Sequence, residues 1–348
     1  ILYDKLVDIA SNNIIMIYHA DMYACPGMDE EVLKHLERGT VVSATRIEPP
    51  LHPDGPEKVL VDFGIEPEEF NEHGLWNFLE DDKLHSEDKL TEGIFAPWAI
   101  YKDDFLAIGG HDPLYAPQSK EDSDIFNRFV LADYKLVQTW QGFVYHMTCR
   151  GSRFKDGALR NPAGQVFMKG RESSEWLEQN LRSTRNFIRK WGHMVKHDEM
   201  MKPIIPPKYD IGFVVHNCDA NLLRELEPWC SSIYIKDTSL IVEYITEEQK
   251  NTDFDLTKRV KPYIDKVNKS ADSLLKLNSR LKSSYEWKNH NILVEFDAQK
   301  LNANNFQHLV NLSEIMSNSG EIGKLELEIF KFNVKSLESY EKDLILVK

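Results

Sequence analysis

Asp21 closes the run Ile14, Ile15, Met16, Ile17, Tyr18, His19, Ala20, Asp21, in which mostly apolar and aromatic side chains follow one another until a carboxylate stops them. A carboxylate at the end of such a run suits a divalent cation and the phosphates a cation carries. Its plainer role is to cap the turn before the next helix. Further along, Gly109, Gly110, His111 and Asp112 precede Glu121, Asp122 and Asp124, with Arg128 one turn beyond. Acids in a first helical turn are favoured by the helix dipole alone. This crowding exceeds what capping needs, and a carboxylate placed there can accept a proton from a hydroxyl. His146, followed by Arg150 and Arg153, offers an imidazole to a metal and guanidinium forks to phosphate oxygens. The plainer role of a lone strand histidine is structural.

These side chains need a scaffold. The run over residues 14–21 is short, rich in β-branched residues and free of alternation. That pattern predicts a strand buried on both faces, in the middle of a mainly parallel sheet. Such sheets hold ligands outside the carboxyl ends of their strands. Apolar spacing predicts helices over 2–10, 28–37, 102–108, 121–132 and 175–191, and strands over 41–47, 94–100 (broken by Pro97), 135–140 and 143–147. Residues 48–92, with proline-rich and acidic pieces, read as one long irregular loop. Pro203, Pro206 and Pro207 mark a linker. Beyond it, strands near 211–215, 232–235, 291–296 and 325–329 alternate with helices over 221–227, 255–284 and 305–316. The fold class is α/β. A first domain is expected over residues 1–170, a helix and linker over 171–207, and a C-terminal α/β domain over 208–348 that carries no recognisable catalytic constellation.

The bulk numbers narrow the partners. Across 348 residues, 42 lysines and arginines face 56 aspartates and glutamates, a net charge of -14. No basic excess exists to neutralise the phosphates of a nucleic acid. No apolar stretch reaches the length of a membrane span. The four cysteines form no C-x-x-C pair, which suits a reducing, cytoplasmic compartment.

The series Ile17, Tyr18, His19, Ala20, Asp21, Met22, then Phe95 to Ile100, then Ile108 to Asp112, then Glu121 to Ile125 with Arg128, then Val144, Tyr145, His146 resembles family 2 glycosyltransferases of the GT-A fold. The likeness covers residues 1–155, and its "GG-x-D … ED-x-D … R" part is the most specific. It implies a Rossmann-like mixed sheet and hexosyl transfer, usually inverting, from a nucleotide-sugar donor to a glycan or other hydroxyl acceptor with Mn2+ or Mg2+. Carried over by position, Asp21 matches the metal-binding aspartate of a D-x-D-type motif. Asp122 matches the general base, with Glu121 as its companion. Gly109, Gly110, His111 and Asp112 match the loop shaping the acceptor site, and His146 matches a histidine that contacts metal or diphosphate.

Two departures stand out. His19 occupies the place where a first aspartate often stands. Little chain precedes residue 14, so the reading expects a domain lacking part of its nucleotide-binding half. Trp76 and Trp98 are candidates to stack on a sugar ring, with a core role as the alternative. A second class stays open: a non-catalytic carbohydrate- or protein-binding module on a degenerate GT-A scaffold. A nucleotidyltransferase would also use strand-end acids and a cation, but its usual glycine-rich phosphate loop is not found.

Overall fold

The computed structural model describes residues 2–50, 54–65, 67–81, 89–147, 158–160, 166–168, 174–263 and 289–347. The chain divides into two units. One comprises Ile1–Asn180, Lys196–Ile205 and Ile345–Lys348; the other comprises Leu181–Val195 and Pro206–Leu344.

In the first unit, α1 (Leu2–Ile9) leads to β1 (Ile14–Ile17), a turn and β2 (Met22–Ala24). Helix α2 (Met28–Lys34) places Asp29, Glu30 and Glu31 in its first turn, where the dipole favours them, and buries Met28 and Val32. Strand β3 (Thr40–Glu48) is buried along its whole length. The stretch expected to be one long loop holds β4 (Val59–Leu60), α3 (Glu72–Leu79) and β5 (Leu90–Thr91). There follow β6 (Trp98–Tyr101), α4 (Lys102–Ala107), α5 (Glu121–Leu131) and β7 (Lys135–His146). A small antiparallel pair, β8 (Ala158–Arg160) and β9 (Val166–Met168), precedes α6 (Ser174–Trp191), which from Leu181 on belongs to the second unit.

The main sheet has the order β1-β6-β3-β7-β2, with β4 on β3 and β5 on β7. β3 runs parallel to β7 and β4, whereas β6 is antiparallel to β1 and β3, and β7 is antiparallel to β2 and β5. The sheet is therefore mixed. The expectation that residues 14–21 form a central strand of a mainly parallel sheet does not hold. Among the described residues β1 has one neighbour, β6, and it ends at Ile17. Its burial alternates, Ile15 and Ile17 inward against half-exposed Ile14 and Met16. An all-apolar run hides that period of two. The central position belongs to β3. The strands expected over 135–140 and 143–147 are one strand, and the gap between them falls where the register against β3 shifts between Ala44 and Thr45.

The second unit contains β10 (Ile211–His216), α7 (Ala220–Leu226), β11 (Ser232–Ile235), α8 (Thr238–Glu248), α9 (Leu256–Arg259), β12 (Val260–Pro262), β13 (Ile292–Asp297), α10 (Ala303–Val310), α11 (Leu312–Ser319), β14 (Gly323–Leu327) and β15 (Phe330–Val334). Its sheet order is β12-β11-β10-β13-β15-β14, parallel from β12 to β13 and antiparallel beyond. The helix expected over 255–284 stops at Arg259 and gives way to β12, and residues 264–288 lie outside the described residues. The helix expected over 305–316 is two helices meeting at Asn311. Fully buried Glu227 ties the core together by pairing with Arg189 and Arg259.

Both units are α/β. No helix among the described residues is long and apolar enough to cross a membrane. Cys25, Cys218 and Cys230 are free thiols, and Cys149 lies outside the described residues.

Candidate functional site

Strand pairing assembles the first corner. β2 pairs antiparallel with β7, so that Met22 lies opposite His146, and the Met147 amide donates to the Asp21 carbonyl at 2.9 Å. Asp21 sits on the turn just before β2, and that register sets it beside His146, with Nε2 3.5 Å from Asp21 Oδ2. His19 belongs to the same turn, whose Met22 amide donates to the His19 carbonyl at 3.3 Å. His19, Asp21 and His146 each offer one ligand atom, all within 4.8 Å of one another. Two imidazole nitrogens and a carboxylate oxygen form a donor set that fits a divalent metal ion.

β3 supplies the next layer. It runs parallel to β7 with Ile47 opposite Tyr145, which brings Glu48 against His146: Nδ1 lies 3.0 Å from Glu48 Oε2. The Glu48 side chain is fully buried and also accepts from Lys58 Nζ at 2.8 Å and Arg46 at 3.4 Å. Arg46 in turn donates to Glu57 at 3.3 Å and lies 3.8 Å over the Phe95 ring. Burial alone would raise the Glu48 pKa, but the His146 hydrogen bond, Arg46 and Lys58 bring it down to about 2. Burial alone would lower His146, and its bonds to Asp21 and Glu48 turn the shift upward. His19 is shifted downward, chiefly by burial, so it stays neutral near pH 7 with its lone pair available.

The second corner is the start of α5. Ser119 and Lys120 both adopt positive φ (81° and 75°), which turns the chain sharply into the helix at Glu121. Burial raises the pKa of Glu121, and the neighbouring Asp122 charge adds to it. Among the described residues Glu121 Oε2 has no hydrogen-bond partner. Burial likewise raises Asp122, opposed by His111. The motif's arginine has a visible task. Arg128 donates to Asp124 Oδ2 and to the Ile108 carbonyl, each at 2.8 Å, and to the Gly110 carbonyl at 2.5 Å. The "ED-x-D … R" helix thereby grips the double-glycine turn, where Gly109 and Gly110 take φ of 85° and 64°.

The two corners share one electrostatic field. Burial raises the Tyr3 phenol to about 12, and the carboxylates of Asp122, Glu121 and Asp21 push in the same direction. Glu121 in turn acts on His19. Asp21 and Asp122, about a hundred positions apart in sequence, thus both act electrostatically on one side chain.

Other sequence candidates fall elsewhere. Trp98 is fully buried against Phe105, Phe126 and Phe129, so its ring has no open face for a sugar; it is a core residue. Trp76 is 44% exposed, with Nε1 3.3 Å from the Tyr23 hydroxyl. Asp112 accepts from the Leu114 amide at 2.9 Å and caps a short turn of 3-10 helix. His111 is buried, its amide donating to Asp4 Oδ1 at 2.8 Å and its Nδ1 lying 3.4 Å from Asp4 Oδ2. Arg150 and Arg153 lie outside the described residues. Two residues the sequence reading did not assign to the site are His19 and Glu48. The H-x-D spacing of His19 and Asp21 is a signal for the first. Glu48 carried none, because it reads as the opening of a loop. No family model matches the chain, and no curated protein is similar to it.

Proposed function

We propose that this chain is a GT-A-type glycosyltransferase, of the kind grouped in family 2, that moves a sugar from a nucleotide-sugar donor to an acceptor hydroxyl with inversion. The observation that carries this reading is the His19, Asp21 and His146 donor set, with Glu121 acting electrostatically on His19 and the Glu121, Asp122 and Asp21 charges all acting on Tyr3. Asp122 takes the hydroxyl proton, the acceptor oxygen bonds to the anomeric carbon, and the carbon–oxygen bond to the diphosphate breaks with its electron pair leaving on the diphosphate. A carboxylate whose pKa is raised by burial is a stronger base for that step. His19, Asp21 and His146 would hold Mn2+ or Mg2+, whose charge, when bound, offsets the negative charge gathering on the leaving diphosphate. Arg128 keeps in place the double-glycine turn, which the resemblance assigns to the acceptor site.

The test is transfer and donor hydrolysis with UDP-, GDP- and CDP-sugars, comparing wild type with Asp122→Asn. The variant is expected to lose about 10²–10⁴-fold in turnover while donor affinity stays within about twofold, since the base acts on the acceptor. Wild-type turnover in the variant removes Asp122 from the base role. Donor binding with no turnover in either protein favours a binding module on this scaffold.

A further inference from the structure

We infer that Glu48 is the positioning residue of the metal site, holding the His146 imidazole so that only Nε2 is offered, and that the resulting site takes a nitrogen-accepting transition-metal ion in preference to Mg2+. The inference deepens the metal-assisted reading above and rests on it for its place in catalysis.

Glu48 Oε2 lies 3.0 Å from His146 Nδ1. Its other oxygen already accepts the Lys58 ammonium at 2.8 Å, and Arg46 lies 3.4 Å from Oε2. A carboxylate held by two cations accepts hydrogen bonds and donates none, so the proton of the imidazole has to sit on Nδ1. That leaves Nε2, the nitrogen 3.5 Å from Asp21 Oδ2, as the one able to ligate. A carboxylate on the far nitrogen of a ligating histidine fixes the tautomer and ring orientation and raises the basicity of the ligand. Glu48 is placed to do all of this. It cannot swing away, because its side chain is fully buried and Arg46 is pinned in turn by Glu57 at 3.3 Å and by the Phe95 ring at 3.8 Å.

The ion preference follows from the donor set. Mg2+ seeks oxygen ligands in near-ideal octahedra and gives up water reluctantly. Imidazole nitrogen suits Zn2+, and Mn2+ stands at the weak end of the same order of divalent affinities. His19 standing beside Asp21 converts a pair of carboxylates into one nitrogen and one oxygen, and His146 adds a second nitrogen.

The whole chain is titrated calorimetrically with Zn2+, Mn2+ and Mg2+ alone, without donor or acceptor. One Zn2+ and one Mn2+ are expected per chain, with Mg2+ weaker by about 100-fold or more. Glu48→Gln is expected to weaken Zn2+ about 10–100-fold. Glu227→Gln removes a fully buried carboxylate that pairs with Arg189 and Arg259 and does not touch His146 or Glu48, and should leave Zn2+ affinity unchanged. Equal losses in the two variants, no loss in Glu48→Gln, or Mg2+ binding as tightly as Zn2+ overturns the inference. Should Glu48→Gln fail to fold, the imidazole ¹⁵N spectrum of the wild-type zinc complex decides. A proton on Nδ1 of His146 with zinc on Nε2 supports the assignment, and the reverse tautomer overturns it. Because no sugar donor enters these measurements, a failure of transfer leaves this result standing, and a failure here leaves the base role of Asp122 standing.

Discussion

Arg128→Met is the perturbation with the most to say about this fold. The Arg128 guanidinium is fully buried and makes charge-assisted bonds to Asp124 Oδ2 and to the carbonyls of Ile108 and Gly110. Methionine keeps much of the apolar stem and removes every donor. Asp124 is then a buried carboxylate without its cation, to which the Tyr115 hydroxyl donates at 3.2 Å. Stripping one partner from a buried pair costs about 3–5 kcal/mol, and each orphaned carbonyl adds roughly 1 kcal/mol or more. These terms overlap because the groups share one network, so a total of about 4–5 kcal/mol is expected. That is a large fraction of the roughly 5–15 kcal/mol that holds a domain together. Urea unfolding measures the total, and hydrogen exchange in the 105–116 segment localises it to the double-glycine turn. Removing both charges, in Asp124→Asn with Arg128→Met, should recover about 2 kcal/mol relative to the sum of the single changes, because no buried ion is left alone. Arg128→Lys keeps the charge but not the fork and should fall between. A loss under about 1 kcal/mol in Arg128→Met, or unchanged protection at Gly110, would refute the claim that this arginine holds the turn.

Two further outcomes follow from the same reasoning. At Gly110, φ is 64° and a Cβ would overlap Asp4 Oδ1, which accepts the His111 amide. Gly27, at φ 75°, has open space around it. Gly110→Ala should therefore cost about 1 kcal/mol more than Gly27→Ala, which bears only the left-handed backbone cost of about 1–2 kcal/mol; equal thermal shifts would count against the contact. In the second unit, burial would raise the Glu227 carboxyl, but Arg259 and Arg189 hold it at about 2 against an ordinary 4.5. A depressed carboxylate contributes stability above its unfolded pKa and loses it as pH falls from about 4.5 through 2. The difference corresponds to about 3 kcal/mol. Unfolding free energies measured at pH 6, 4 and 3 should show a correspondingly smaller acid loss in Glu227→Gln, and an acid loss equal to wild type contradicts the assignment.

Much of the local structure was legible along the chain. Helix α5 was readable because Ile125, Phe126, Phe129 and Val130 recur at helical spacing behind a cluster of acids, and α6 because Trp176, Leu177, Leu181, Phe187, Ile188 and Trp191 share a face. The residue types at Asp21, Glu121, Asp122 and His146 also marked the side chains on which the proposed proton and metal chemistry rests. Local pattern failed where side chains are uniform or where chain segments far apart decide. In Ile14, Ile15, Met16 and Ile17 every residue is apolar, so the sequence could not say which alternate side chains face outward, and the strand was read as central. Nothing local could show that Pro262 closes a strand where a lysine-rich helix was expected.

By itself the sequence determined the α/β class, most helix and strand positions, and the inventory of ionisable groups, because propensity and periodicity are short-range properties of a chain. Only the tertiary structure decided which of those groups meet. β2 had to pair with β7 for Asp21 to reach His146. β3 had to run beside β7 for Glu48 to reach the same ring. Arg128 had to span from α5 to the carbonyls of Ile108 and Gly110 before the motif's spacing acquired a cause. Strand register and buried charge pairing are long-range. Each is set by how much apolar surface and how many partnered polar groups the whole unit can enclose, and no window of sequence contains that sum.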